Sequence, residues 1–145
     1  MIQRYYNNHE YIEMCEKALK LQRDWTPQKW DIFYHPSMGV GVLDDNIRNR
    51  SIDTWKDLIW LPRQDQLQGM VKNSYFFACD DFELVELFYN FVWLENPQWD
   101  KLGILSMEQL WFAYYYDLKY CKRWNGEGWI EIEKGGKRRE SYKVT

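Results

Sequence analysis

Apolar residues recur three and four positions apart between Met107 and Cys121, which is the spacing of one face of an α-helix. Ser106 and Gln109 have the spacing of a capping box, so the helix is expected to begin at this serine. It should end near Arg123 or Trp124, because a turn-forming Asn-Gly pair follows. The predicted buried face contains Met107, Leu110, Trp111, Tyr114, Leu118 and Cys121. The predicted solvent face contains Gln109, Asp117, Lys119 and Lys122.

Similar patterns predict three further helices. The first begins at Asn7 or Asn8 and continues to about Arg23, and the second follows Pro62 over residues 63–72. The third begins at Asp80, with Glu83 as its capping-box partner. The buried face of the first contains Tyr11, Cys15, Ala18 and Leu19. The buried face of the third contains Leu84, Leu87, Phe88 and Phe91.

Short apolar stretches predict β-strands, at residues 30–34, 40–43, 58–61 and 128–132. Pro36 and Gly39 suit a tight turn, so the first two strands should form a hairpin. The polar residues that follow this hairpin, 44–53, predict an exposed loop.

Together these elements predict an α+β fold, with three to four helices packed on a small antiparallel sheet around an aromatic-rich core. The length of 145 residues predicts one domain over residues 1–145. Residues 134–145 begin with a short basic block and are expected to form a flexible tail.

Aromatic residues make up 19% of the chain, including nine Trp and eleven Tyr. So many large rings cannot all be buried by a protein of this size. Either the core is unusually aromatic, with some rings at its edges, or a Trp and Tyr surface is kept for a partner. The net charge of −3 argues against direct, non-specific binding to nucleic acid.

The chemically active residue types form no known catalytic or metal-binding pattern. His9 and His35 are the only histidines, and their spacing to Cys15, Cys79 and Cys121 matches no zinc template. We therefore expect no metal, no cofactor and no disulfide, and nothing supports an enzymatic activity. The sequence has no signal-peptide core and no membrane-spanning stretch, which predicts a cytoplasmic protein with reduced thiols.

Three motifs resemble a group of small phage and prophage proteins of Gram-positive bacteria. They are WLPRQDQLQ at residues 60–68, SMEQLW at residues 106–111 and WNGEGW at residues 124–129. The resemblance covers roughly residues 25–130 and implies a phage accessory protein in the cytoplasm of the host. That family has no assigned activity, so the resemblance transfers no catalytic residue.

Residues 31–42 resemble, more locally, the HPxxGxG hairpin that begins Tudor-like barrels in transcription-coupled repair and RNA-polymerase-binding proteins. The shared features are a strand, the turn of His35, Pro36, Gly39 and Gly41, and a return strand. Such a turn also arises by convergence, since Pro and Gly favour it wherever two strands meet.

The leading functional hypothesis is a non-enzymatic, phage-encoded protein that binds and modulates a host protein. The partner could be a defence nuclease such as a CRISPR effector, because an acidic surface can occupy a basic nucleic-acid channel. The alternatives are a transcription or repair accessory that binds RNA polymerase through the hairpin, and a binder of a small ligand such as a nucleotide. The predicted partner-binding residues lie in the hairpin and the following loop, and they are Tyr34, Met38, Asp44, Asp45, Asp53 and Trp55.

Overall fold

The computed structural model describes residues 8–44, 57–75, 79–95 and 98–132. It contains both α-helices and antiparallel β-strands. The described residues contain five α-helices, a three-stranded sheet and a two-stranded sheet, so the predicted α+β class is confirmed. The chain divides into two compact units, Met1–Arg63 and Gln64–Thr145, called here the N-terminal and C-terminal units. The proposed basic tail lies outside the described residues, and the single-domain organisation stays a prediction.

The N-terminal unit begins with two short helices, α1 (His9–Lys17) and α2 (Leu19–Asp24). Asn8 caps α1, because its side-chain oxygen accepts a hydrogen bond from the backbone N–H of Glu10 at 3.0 Å. The prediction of one continuous helix to Arg23 is wrong. Ala18 leaves helical geometry at ψ 70°, and its N–H turns back to the carbonyl of Cys15. This break reorients the chain, so Leu19, predicted as buried, is 68% exposed.

Three strands form the sheet of the N-terminal unit, β1 (Ile32–His35), β2 (Gly39–Val42) and β3 (Ile59–Trp60). Their order is β2-β1-β3 and both pairings are antiparallel, which confirms the predicted hairpin. Gln22 of α2 covers the outer edge of β3. Its side-chain amide donates to the carbonyl of Trp60 at 3.0 Å and accepts from the Trp60 N–H at 2.8 Å. These two bonds satisfy backbone groups that a sheet edge leaves open.

Two glycines make the hairpin possible for different reasons. Gly39 has a φ of 72°, in the left-handed region that side chains with a Cβ rarely adopt. Gly41 lies opposite Phe33, and a Cβ at Gly41 would approach the Phe33 ring to 2.7 Å. The ring of Phe33 then packs with Leu43 and Leu58 in the core of the unit.

The C-terminal unit contains three helices, α3 (Gln64–Asn73), α4 (Asp81–Glu95) and α5 (Met107–Tyr120), with a 3₁₀ helix at Trp99–Leu102. The cap of α4 is confirmed, since a side-chain oxygen of Asp80 accepts from the Glu83 N–H at 2.8 Å. The predicted start of α3 is one residue too early, since the helix begins at Gln64. Pro62 precedes the helix, and its carbonyl accepts a hydrogen bond from the Tyr11 hydroxyl at 2.6 Å.

The capping box of α5 is confirmed at both of its bonds. The helix ends earlier than predicted, at Tyr120, because Cys121 adopts a left-handed conformation with φ 57°. The chain then forms an antiparallel hairpin of β4 (Lys122–Trp124) and β5 (Trp129–Glu131). The side chain of Asn125 stabilises its turn by accepting two backbone N–H bonds of 2.8 Å.

Three residues of α5 have the opposite exposure to the one predicted. Gln109 and Asp117, predicted as solvent-facing, are 0% and 2% exposed, whereas Met107, predicted as buried, is 45% exposed. Gln109 is buried because its side chain accepts from the Leu105 N–H and donates to the Gly103 carbonyl. Asp117 is buried because it forms an ion pair with Arg123 at 2.9 Å. The buried side chains of Gln109 and Asp117 therefore both have partners, as burial requires.

Candidate functional site: an exposed aromatic helix face

Helix α4 has one face in the core of the C-terminal unit. Leu84, Phe88 and Phe91 on this inner face are buried. Phe88 stacks on Trp111 with ring centroids 3.9 Å apart, and Phe91 stacks on Tyr114 at 4.7 Å. The prediction that Trp111 and Tyr114 are buried is confirmed. Leu110 and Leu118, predicted with them, are only half-buried.

The opposite face of α4 is almost as apolar, yet it is exposed. Phe82 is 88% exposed, Val85 59%, Tyr89 59% and Trp93 64%. At 100° per residue, Phe82, Tyr89 and Trp93 fall within about 40° of one another, and Val85 lies next to them. The rings of Tyr89 and Trp93 touch, with centroids 6.0 Å apart. These four residues form a continuous stripe, called here the outer face of α4.

Acidic side chains surround the outer face. Glu83 and Glu86 are exposed, and Glu86 lies beside Phe82 and Trp93 on the same side of the helix. Asp81, at the start of the helix, forms an exposed ion pair with Lys72 at 3.1 Å. No Lys, Arg or His occurs within α4 itself. The outer face is therefore an apolar stripe with a negative rim.

Sequence patterns alone did not identify the outer face, although one signal was available. Ten of the fifteen residues of α4 are apolar or aromatic. A surface helix needs only a stripe of such residues to cover a core, so this number exceeds what one packed face can use. An excess of this kind predicts a second apolar face on the helix.

The predicted partner-binding residues of the hairpin are only partly described. Tyr34 on β1 and Asp44 after β2 are half-buried, while Met38 in the turn is 43% exposed. Asp45, Asp53 and Trp55 lie outside the described residues. The structure therefore brings Tyr34 and Met38 into one hairpin, and their role in binding stays a prediction.

Trp30, just before β1, is a more prominent surface feature than Tyr34. It is 61% exposed and has a φ of 77°, a strained conformation for a residue with a Cβ. Its backbone N–H donates to Leu43 at 2.8 Å, and its carbonyl accepts from Arg63 at 2.9 Å. The neighbouring buried carboxylate of Asp31 accepts from the Trp25 indole at 2.9 Å and so orders the loop.

An open cleft of about 440 Å³ lies beside the hairpin. It is lined by Glu16, Tyr34, His35, Pro36, Ser37, Asp57 and Ile59. The Ser37 N–H donates to Nδ1 of His35 at 3.1 Å, so this ring nitrogen is occupied as an acceptor. The volume lies in the range of small-ligand pockets, about 300–1,000 Å³. The cleft is open and its lining is about equally polar and apolar, without the apolar enclosure that usually holds a ligand.

Two of the three cysteines, Cys15 and Cys79, are buried. Cys15 is fully buried, and burial raises the pKa of its thiol far above the ordinary value. Burial and then the Glu83 carboxylate raise the pKa of Cys79. Both thiols are thus held in the protonated, unreactive form. Within the same ranges, no group of three or more His, Cys, Asp or Glu could hold a metal ion.

No protein-family model, no curated protein and no solved structure matches this chain. None of the helices in the described ranges combines the length and the apolarity needed to cross a membrane. The geometry of the surface must therefore support any functional assignment without help from a relative.

Proposed function

We propose that this protein is a non-enzymatic binding protein that attaches to another protein through the outer face of α4. The observation that supports this proposal is the exposure of Phe82, Val85, Tyr89 and Trp93 in one stripe. Large aromatic residues dominate the binding energy of protein interfaces, and the largest exposed apolar patch of a protein is often functional.

The motif resemblance to phage and prophage proteins supports a host protein as the partner. On this proposal the protein acts in the cytoplasm of a Gram-positive host and modulates the protein that it binds, for example a CRISPR effector or another defence nuclease. The alternatives remain predictions: binding of RNA polymerase through the β1–β2 hairpin, and binding of a nucleotide or similar small ligand.

Affinity capture with a matched pair of surface variants tests the proposal. The outer-face variant carries Phe82→Ser, Tyr89→Ser and Trp93→Ser. The control variant removes three exposed apolar side chains elsewhere, Leu19→Ser, Leu105→Ser and Ile130→Ser, which are 68%, 76% and 47% exposed. Wild type and both variants are incubated with lysate of a Gram-positive host, and retained proteins are quantified by mass spectrometry.

The expected result is a host protein that wild type and the control variant retain and the outer-face variant loses. Circular dichroism should show the same helix content in all three proteins, since exposed substitutions rarely change stability by more than about 0.5 kcal/mol. A host protein retained equally by all three would show that binding uses a different surface. Retention of no host protein by folded wild type would reject the proposed function.

A further inference from the structure

The outer face of α4 is long enough to indicate the shape of what covers it. Phe82 and Trp93 are eleven positions apart, which is about 16 Å along the helix axis at 1.5 Å per residue. A helix face of this kind is convex, and another helix packed against it is the common way to bury it. Partners that dock as helices present apolar side chains at i, i+3, i+4 and i+7 over the same length.

The exposed apolar area of this stripe is too small to form a whole interface. Large aromatic side chains bury about 150–250 Å² each, so at their observed exposures Phe82, Tyr89 and Trp93 together offer roughly 400 Å². A stable complex buries about 800 Å² per partner. The partner must therefore extend over the rim of the stripe, where the side chains are charged.

The unpaired charges on this rim are negative. Glu83 and Glu86 are exposed beside the stripe, and within the described ranges neither is paired with a cation. Because like charges across an interface oppose association, this rim disfavours acidic partners and favours basic ones. We infer that the outer face of α4 binds an amphipathic helix whose apolar side chains are flanked by Lys or Arg.

The same charges disfavour the two other ways of covering an apolar helix face. A second copy of the chain in a symmetric dimer would place each patch against itself, and so would bring Glu83 and Glu86 of both copies together. A lipid surface is normally bound by helices whose polar face is rich in Lys and Arg, and α4 contains neither. A basic helix meets both requirements of the surface, the apolar stripe and the acidic rim.

This inference deepens the proposed function and rests on it, so its test uses defined probes in place of lysate. Two labelled peptides of about four helical turns carry Leu at i, i+3, i+4 and i+7, with Lys at the flanking positions in one and Glu in the other. Fluorescence anisotropy measures the Kd of each for the full-length protein at low and high salt. The charge variant is Glu83→Lys with Glu86→Lys. Its control is Asp24→Lys with Asp100→Lys, two exposed acidic residues elsewhere, which changes the net charge equally.

We expect wild type and the control to bind the Lys peptide about three- to tenfold more tightly than the Glu peptide at low salt, as two exposed charge contacts allow. High salt should reduce this preference, and the charge variant should abolish or invert it. The Phe82→Ser, Tyr89→Ser, Trp93→Ser variant should lose binding of the Lys peptide altogether.

Several results would overturn the inference. They are equal affinity for both peptides, a preference that persists in the charge variant, and the absence of any peptide binding. Sedimentation showing a dimer that the outer-face variant abolishes would make a second copy the occupant. Binding to phosphatidylglycerol vesicles that depends on the same face would make it a lipid surface. If a host protein is still captured through the outer face, the proposed function survives these failures and only the basic character of the partner is rejected.

Discussion

The two faces of α4 differ little in composition and greatly in environment. Phe88 on the inner face is 8% exposed and stacks on Trp111, whereas the adjacent Tyr89 on the outer face is 59% exposed. On each face a large aromatic ring lies one helical turn from another apolar side chain: Phe88 follows Leu84 on the inner face, and Tyr89 follows Val85 on the outer face. The difference lies in what is packed against them, since α5 supplies rings to one face only.

This contrast teaches that aromatic content in a helix does not by itself indicate a core position. A ring stabilises the fold only when folding removes it from water and gives it close neighbours. The same ring left exposed contributes to binding when a partner supplies the neighbours. Substitutions on each face test whether the two faces differ in their contribution to the free energy of unfolding as much as they differ in exposure.

The largest effect is expected for Trp111→Ala. This residue is 2% exposed and stacks on Phe88, so its removal leaves a cavity at the centre of the C-terminal unit. The free energy of unfolding should fall by about 3–5 kcal/mol, the usual loss for a buried large aromatic residue. Urea titration followed by circular dichroism measures it. A stability within about 0.5 kcal/mol of wild type would show that the inner face is not packed as described.

A smaller loss is expected for Asp80→Ala, which removes the cap at the start of α4. The Asp80 side chain accepts from the Glu83 N–H, and loss of such a cap costs about 0.5–2 kcal/mol. The first turn of α4 also carries Phe82, so peptide binding to the outer face should weaken together with stability. Asp80→Asn is the control, because Asn caps helices about as well as Asp. Equal losses in both variants would assign the effect to charge rather than to capping.

A coupling energy between Phe88 and Trp111 should be smaller again. Stacked aromatic pairs contribute about 0.5–1.5 kcal/mol beyond the area that they bury. A double-mutant cycle with Phe88→Leu and Trp111→Leu measures this quantity from four unfolding free energies. Tyr89 and Trp93 provide the comparison pair, since their rings also touch but at the surface. If the coupling energy of Tyr89 and Trp93 were as large as that of Phe88 and Trp111, the two faces would not differ in the energy of their aromatic contacts.

The smallest effect on stability is expected for Tyr89→Ala and Trp93→Ala, each within about 0.5 kcal/mol of wild type. Both side chains remain more than half exposed in the fold, so their truncation creates no cavity. Urea titration of each variant beside Phe88→Ala gives a direct comparison of neighbouring positions. A loss of several kcal/mol at Tyr89 would mean that the outer face is covered within the folded chain.

Features that depend on residues close in the chain were predictable from the sequence. The caps at Asn8, Asp80 and Ser106 and the turn at Asn125 rest on hydrogen bonds between residues two or three positions apart. The β1–β2 hairpin pairs residues no more than ten positions apart. The residue types that favour such bonds do so in any fold, because the bonding groups are already neighbours. The α+β class follows from the same local patterns.

Three features of the helices could not be predicted in this way. Asp117 has the polarity of a solvent-facing residue, and only the fold of the β4–β5 hairpin brings Arg123 to it. The break at Ala18 and the early end of α5 at Cys121 likewise depend on how the following segments pack, because neither residue is a strong helix breaker.

The sequence by itself determined the capped starts of α1, α4 and α5 and the β1–β2 hairpin. Only the tertiary structure decided which of the two apolar faces of α4 is used for folding. Periodicity shows that a helix has apolar residues on a given side, but burial is a property of the surfaces that meet. Trp111 and Tyr114 of α5 cover Phe88 and Phe91, whereas Phe82, Tyr89 and Trp93 stay exposed.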